Sequence, residues 1–237
     1  MKVVILAGGR GTRLAPYTTI LPKPLVPVAE LPIVEILIRQ LAFYGFADVT
    51  MSIGHLGELI QAYFAANSRL PQGLRLSYIT EPEPLGTSGS LALVPGLTDT
   101  FLVANGDVLT TMDFRRLVAY HRAQAAALTI ATHQKDVKID LGVMEVDAAS
   151  RVVEYREKPV LHYLVSMGVY VYEPSVLQYI PRGRHLDFPD LVLTLQRAGE
   201  KVVAYRSGDF WLDVGREEDF ARATDEFLAR RAEFHAG

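Results

Sequence analysis

The residues with the clearest chemical capacity stand at the start of the chain. Leu6-Ala7-Gly8-Gly9-Arg10-Gly11-Thr12-Arg13-Leu14 follows directly on the apolar run Val3–Ala7. Three glycines and a threonine let a backbone pass close to an anion and aim its N–H groups at it. No Gly-Lys-Ser/Thr ends the segment, so it is not a P-loop, and Leu14 stands where a dinucleotide fingerprint would have its third glycine. A tight turn after a strand would also use three glycines. Two cations tip the reading toward a ligand: Arg13, and Lys23 within Pro22-Lys23-Pro24-Leu25. Cations flanking a Gly-rich turn suit a polyphosphate. The two prolines are expected to hold the Lys23 backbone extended.

Further along, Asn105-Gly106-Asp107 closes the apolar run Phe101–Ala104. The end of a parallel strand is where α/β folds place ligand groups. A carboxylate there suits Mg²⁺, although a lone Asp in that position more often caps a turn. Other chemistries find no residues. The chain has no cysteine, its six histidines are scattered, and there is neither an HExxH helix nor an evident Ser/His/Asp set.

These groups need elements to position them. Val3–Ala7, Val49–Ile53, Leu74–Thr80, Phe101–Ala104 and Leu128–Thr132 read as strands, and 32–44, 56–66 and 114–126 as helices, the last capped by Asp113. Strand–helix alternation predicts an α/β fold with a mostly parallel sheet covered on both faces. After about residue 140 the pattern changes. Runs 142–147, 152–156 and 165–172 read as consecutive antiparallel strands, then a helix over 187–198, a strand over 202–205 and a last helix over 217–231. One domain spanning 1–237 is expected, with a nucleotide-type half over 1–140 and a mixed half over 141–237. Trp211, Phe210, Tyr170 and Tyr172 are read as core, and Arg230-Arg231 as a solvated helix face. With 24 basic and 27 acidic residues the net charge is −3, so no broad nucleic-acid surface is expected. No apolar run is long enough to span a membrane, and the start resembles a strand more than a signal peptide. The reading is a soluble, cytoplasmic protein.

Taken together, Gly8-Gly9-Arg10-Gly11-Thr12-Arg13-Leu14, Pro16, Thr18 and Pro22-Lys23-Pro24-Leu25-Val26-Pro27-Val28 resemble the signature of the sugar-1-phosphate nucleotidyltransferases. The segments Glu81–Gly89, Asn105-Gly106-Asp107, Glu157-Lys158-Pro159 and Trp211-Leu212-Asp213-Val214-Gly215 match in order, so the resemblance covers nearly the whole chain. It is strongest toward the mannose-1-phosphate guanylyltransferase-like branch. Longer relatives carry a C-terminal β-helix, and a chain ending at Gly237 is expected to hold the catalytic domain alone.

The resemblance implies a Rossmann-like mixed sheet flanked by helices. It also implies a reaction of NTP with sugar 1-phosphate that gives NDP-sugar and pyrophosphate. It assigns Arg13 and Lys23 to catalysis, and Leu6, Ala7, Gly8, Gly9, Gly11, Thr12, Glu81, Gly86, Thr87 and Gly106 to the nucleotide. Gly142, Glu157, Lys158 and Ser166 are assigned to the sugar phosphate, and Asp107 with Asp213 to Mg²⁺. Leu141, where many relatives have Tyr, and Ser166-Met167-Gly168, where many have Asn-Ala-Gly, depart from the pattern and leave the sugar open. GTP with a mannose- or heptose-type sugar is favoured over thymidylyl, cytidylyl or uridylyl transfer. A homo-oligomer is the default for such relatives. A glycosyltransferase of related fold is disfavoured because no Asp-x-Asp occurs. A non-catalytic sensor is disfavoured because Arg13, Lys23, Asp107 and Asp213 are all present.

Overall fold

A computed structural model describes residues 1–14, 16–66, 70–215 and 217–236. Seven strands form the main sheet: β1 (Lys2–Ala7), β2 (Asp48–Ile53), β3 (Arg75–Thr80), β4 (Phe101–Asn105), then, after the short β5 (Val108–Thr110), β6 (Leu128–Lys138), β9 (Val160–Tyr172) and β10 (Val202–Arg206). Between β6 and β9 lies the hairpin of β7 (Val143–Val146) and β8 (Val152–Arg156), and β11 (Trp211–Asp213) pairs antiparallel with β5. The sheet order is β10-β6-β9-β4-β1-β2-β3. All neighbours are parallel except β9, which runs antiparallel to both β4 and β6. The sheet is thus mixed and mostly parallel, flanked by helices, as the alternation predicts. The strand β9 is longer than expected, starting at Val160 instead of Val165, and β6 runs on to Lys138. Their outer halves leave the layered body as a two-stranded ribbon.

Period-two alternation decides which side of the sheet each residue serves. On β1, Val3, Ile5 and Ala7 join the cluster beneath α1 (Ile33–Phe43), α2 (Gly57–Ala66) and α3 (Phe114–Gln124). Val4 faces the opposite cluster, with Leu191 and Leu195 of α4 (Phe188–Arg197). Asp113 caps α3 by accepting from the Arg115 amide at 2.9 Å. A third cluster, built on Leu109, Leu212, Val214 and Phe227, fixes α5 (Glu217–Ala229) against the β5–β11 ladder. Tyr170 and Tyr172 are buried, while Trp211 and Phe210 are partly buried against the core clusters. The Trp211 indole donates to the Met167 carbonyl at 3.0 Å and lies beside the His133 ring. The solvated face expected at Arg230-Arg231 is only partly that. Their guanidiniums lie over the Phe210 and Phe227 rings, because a long side chain can cover apolar surface while its charge stays near water. No helix among the described residues is long and apolar enough to cross a membrane.

One buried titratable group ties α3 to the sheet. His121 is 1% exposed. Its Nε2 lies 3.0 Å from Glu173 Oε1 and its Nδ1 2.8 Å from Thr129 Oγ1. A carboxylate only accepts, so Nε2 carries the proton and Nδ1 accepts from Thr129. Burial lowers the His121 pKa from its usual 6.5, and Glu173 opposes that shift. A base whose folded pKa is depressed binds fewer protons folded than unfolded. Its contribution is therefore full above pH 6.5 and lost as pH falls below it. We expect the urea midpoint to decline from pH 7.5 toward the folded pKa, and His121→Gln, which does not titrate, to flatten that limb. An equally steep limb in the variant would remove His121 as its source.

Candidate active site

The strand order reverses at β1: the chain runs outward from it to β2 and β3 on one side and returns to β4 on the other. Connections diverge there, and the C-terminal ends of the parallel strands are left open as a crevice. A cleft of about 420 Å³ occupies that place. Its floor is the loop after β1, its back wall is Asn105-Gly106-Asp107 after β4, and its side is Glu81 after β3 together with Pro84, Gly86, Thr87 and Ser90.

The loop is shaped by what cannot fit beside it. A Cβ built on Gly8 would lie 2.5 Å from Glu81 Oε1, and one on Gly54, at the end of β2, 2.8 Å from the Gly8 carbonyl oxygen. Glu81 is held across the loop by accepting from Ser52 Oγ at 2.8 Å and from the Leu85 amide at 3.1 Å. Gly11 has φ +61°, and its carbonyl accepts from Thr18 Oγ1 and the Leu14 amide, both at 2.9 Å. The short helical turn Thr12–Leu14 leaves Arg13 exposed at the cleft.

Lys23 differs from expectation. Pro22 is extended, but Lys23 opens a 3₁₀ turn over Lys23–Leu25. That turn swings its ammonium into the cleft, where it pairs with Asp107 Oδ2. The ion pair leaves two of the three ammonium N–H groups to donate elsewhere. Beyond Glu81, part of the cleft wall is the turn Gly86–Gly89. Its serine and threonine do not cap their own turn. Thr87 Oγ1 instead accepts from the Phe188 amide at 2.8 Å, at the start of α4. Gly86, at φ +76°, has Asp187 and the Leu186 carbonyl so close that a Cβ has no room.

Of the sequence-predicted residues, Leu6, Ala7, Gly8, Gly9, Gly11, Thr12, Arg13, Lys23, Glu81, Gly86, Thr87, Gly106 and Asp107 all line this cleft. Asp213 adjoins it. It stands opposite Val108 in the β5–β11 ladder, one residue from Asp107. A Cβ on Gly215 would lie 3.3 Å from Asp213 Oδ2 and 3.6 Å from the Arg13 guanidinium carbon. Two carboxylates offering only oxygen, beside space for phosphates and water, fit a hard divalent cation. No group of three or more potential metal-binding side chains occurs among the described residues, so a bound ion would need ligand oxygens from elsewhere.

Gly142, Glu157, Lys158 and Ser166 do not line the cleft. The first three sit at the root of the β7–β8 hairpin, where Tyr155 donates to Glu157 at 2.7 Å and its ring lies over Gly142. Lys158 has φ +45°, a conformation costing an L-residue about 1–2 kcal/mol. Ser166 lies where the β9 register shifts and bonds Tyr170 OH at 3.2 Å. Its neighbour Gly168 packs on Asn105 of the cleft wall. Burial raises the Tyr170 pKa, the Ser166 bond opposes that and the charge of Asp107 adds to it.

Ser90 and His185 are cleft residues that the sequence reading missed. The Ser90 hydroxyl is buried and makes no hydrogen bond with the protein. His185 reaches the cleft from the loop before α4, and nothing local in the sequence marks it.

Residues 2–230 match the nucleotidyl transferase family model, and the chain belongs to that family. It is 35% identical over 238 residues to the mannose-1-phosphate guanylyltransferase of Mycobacterium tuberculosis, covering 96% of this chain and 65% of that protein. It is 32% identical over 250 residues to the UTP–glucose-1-phosphate uridylyltransferase of Synechocystis, covering 97% and 64%. The chain thus spans just under two-thirds of the length of these relatives. HddC from Yersinia pseudotuberculosis has the same fold, with a TM-score of 0.73, 24% identity and coverage of 95% and 99%.

Gly54 tests the loop geometry, because it touches no open part of the cleft. Gly54→Ala should push the Gly8 carbonyl out of place and lower kcat/KM at least about tenfold, the scale of a 1 Å misplacement or less. Steady-state kinetics beside a melting curve would check this. Unchanged kinetics would show that the loop yields without consequence.

Proposed function

We propose that this cleft transfers a nucleotidyl group from an NTP to a sugar 1-phosphate. The observation that carries the reading is the convergence of the glycine loop, Arg13 and the Lys23–Asp107 pair at the ends of β1 and β4. A phosphate oxygen of the sugar phosphate bonds to the α-phosphorus. The bond from that phosphorus to the bridging oxygen breaks, and pyrophosphate leaves with the electron pair. The attacking oxygen is already ionised, so no general base is needed, in keeping with a cleft whose charged groups are Arg13, Lys23, Asp107, Glu81 and, when protonated, His185. The barrier is the approach of two polyanions, and it yields to position and charge. Loop amides and Arg13 hold the triphosphate. Lys23, steadied by Asp107, donates its remaining N–H groups to phosphate oxygens. Asp107 and Asp213 would hold Mg²⁺, which neutralises phosphate charge when bound. Glu157 and Lys158, with Gly142 and Ser166, receive the sugar phosphate from the hairpin side.

The relatives' names divide between guanylyl and uridylyl transfer, so the base is read from Glu81. Its carboxylate offers only acceptors. Guanine presents two adjacent donors, N1–H and N2–H₂. Uracil and thymine present one N–H between two carbonyls, and cytosine one amine beside an acceptor. Glu81 therefore favours GTP. A mannose- or heptose-type sugar 1-phosphate is the matching second substrate.

Pyrophosphate release across a panel of NTPs and sugar 1-phosphates tests the reading. Arg13→Ala should lower kcat/KM roughly a hundredfold or more, since preorganised charge on a transferring phosphoryl group is worth several kcal/mol. Near-normal turnover would take Arg13 out of the site. Glu81→Gln gains a donor and should cut the GTP-to-UTP ratio of kcat/KM by about tenfold or more, the worth of one charged hydrogen bond. An unchanged ratio would refute base selection by Glu81.

A further inference from the structure

Four buried side-chain atoms among the described residues have no hydrogen-bond partner in the protein: Ser88 Oγ, Ser90 Oγ, His133 Nδ1 and Arg230 Nε. Of these four residues only Ser90 lines the cleft. It opens the 3₁₀ turn Ser90–Leu93, directly after Gly86–Gly89. Residues three and four apart on a helical turn lie on one side. Ser90 thus shares the cleft side with Thr87 and Gly86, while Leu91 next to it joins the core cluster of Val4. Ser90 is 1% exposed. A serine in a helical turn can bond the carbonyl three or four residues back, and this one does not. A buried hydroxyl without a partner lowers stability, so one kept in that state at a cleft wall calls for a partner from the ligand.

We propose that Ser90 reads the base: a rotation about its Cα–Cβ bond, from one staggered position to another, turns the hydroxyl to the cleft, where it donates to O6 of guanine. The proposal rests on the guanylyl reading of the cleft. Glu81 accepts from N1–H and N2–H₂. The third group on that edge of guanine is O6, an acceptor that a carboxylate cannot serve. A donor beside Glu81 completes the edge. Glu81, Pro84, Gly86, Thr87 and Ser90 form one side of the cleft. Pro84 and Gly86 have no side-chain donor. The Thr87 hydroxyl is held at the Phe188 amide at 2.8 Å, and its amide is turned to Asp187 at 3.3 Å. The Leu85 amide donates to Glu81 itself. Ser90 is the side-chain donor on that wall with no engagement in the protein.

Isothermal titration of wild type and Ser90→Ala with GTP and with 6-thio-GTP, where a weaker sulfur acceptor replaces O6, tests this. The variant should bind GTP roughly threefold to tenfold more weakly, the range of one neutral hydrogen bond, and 6-thio-GTP within about twofold of wild type. A contact made equally in ground and transition states raises KM alone. KM for GTP should therefore rise while kcat and KM for the sugar 1-phosphate hold. The empty variant should melt no lower than wild type, because the hydroxyl it loses has no partner. Should Ser90→Ala fail to fold, Ser90→Cys, with only a weak donor, makes the same comparison. Unchanged GTP affinity overturns the proposal and leaves nucleotidyl transfer standing. An equal loss with both nucleotides, or a lowered melting temperature with GTP binding intact, marks Ser90 as structural and also overturns it. A wild type that takes UTP in preference to GTP overturns the guanylyl reading itself, and this proposal with it.

Discussion

The site depends on a backbone contact that allows no side chain. Gly8 and Gly54 meet where β1 and β2 end, the Gly8 carbonyl lies where a Cβ on Gly54 would go, and Glu81 from β3 closes over Gly8. Three adjacent parallel strands thus end against one another within the thickness of a peptide. In the loop that follows, Gly8, Gly9 and Gly11 through Leu14 line the cleft. The hydrogen bond from the Gly106 amide to the Leu6 carbonyl at 2.9 Å carries the β1–β4 ladder up to the same level. What binds there meets a surface fixed by the sheet itself.

The antiparallel strand β9 links this cleft to the hairpin. Its inner half lies between β4 and β6, so it is as rigid as the sheet. The register shift between Ser166 and Tyr170 comes where it passes the cleft, and its outer half leads to the segment bearing Glu157 and Lys158. One strand therefore sets the spacing between the phosphate loop and the hairpin root. The β5–β11 ladder does the same for Asp107 and Asp213, which are 106 positions apart in the chain yet adjoin through three paired residues.

Much of this was legible in the sequence, and the reason differs by element. Strands β1, β2 and β4 announce themselves as short apolar runs buried on both faces, and the edge strand β3 as a half-exposed one. The glycine loop announces itself because only glycine tolerates its contacts. What stayed hidden was relational. The flanking prolines predict an extended Lys23, but a 3₁₀ turn that no periodicity encodes carries it to Asp107. Thr87 belongs in sequence to the segment after β3, yet its hydroxyl serves a helix a hundred residues later. His185 arrives on a loop with no pattern, and Ser90 is an ordinary serine until its burial is seen. The outer halves of β6 and β9 were missed because exposed strands mix polar and apolar residues without clean alternation.

Trp211 has a use beyond packing. It is the single tryptophan of the chain, and it sits two residues before Asp213 on β11. Its indole is anchored to the Met167 carbonyl on β9 and neighbours the His133 imidazole. Its emission therefore comes from one point, where the strand bearing a cleft carboxylate touches the strand that leads to the hairpin. Ligand occupancy at either end would be readable as intrinsic fluorescence, without label or engineered probe.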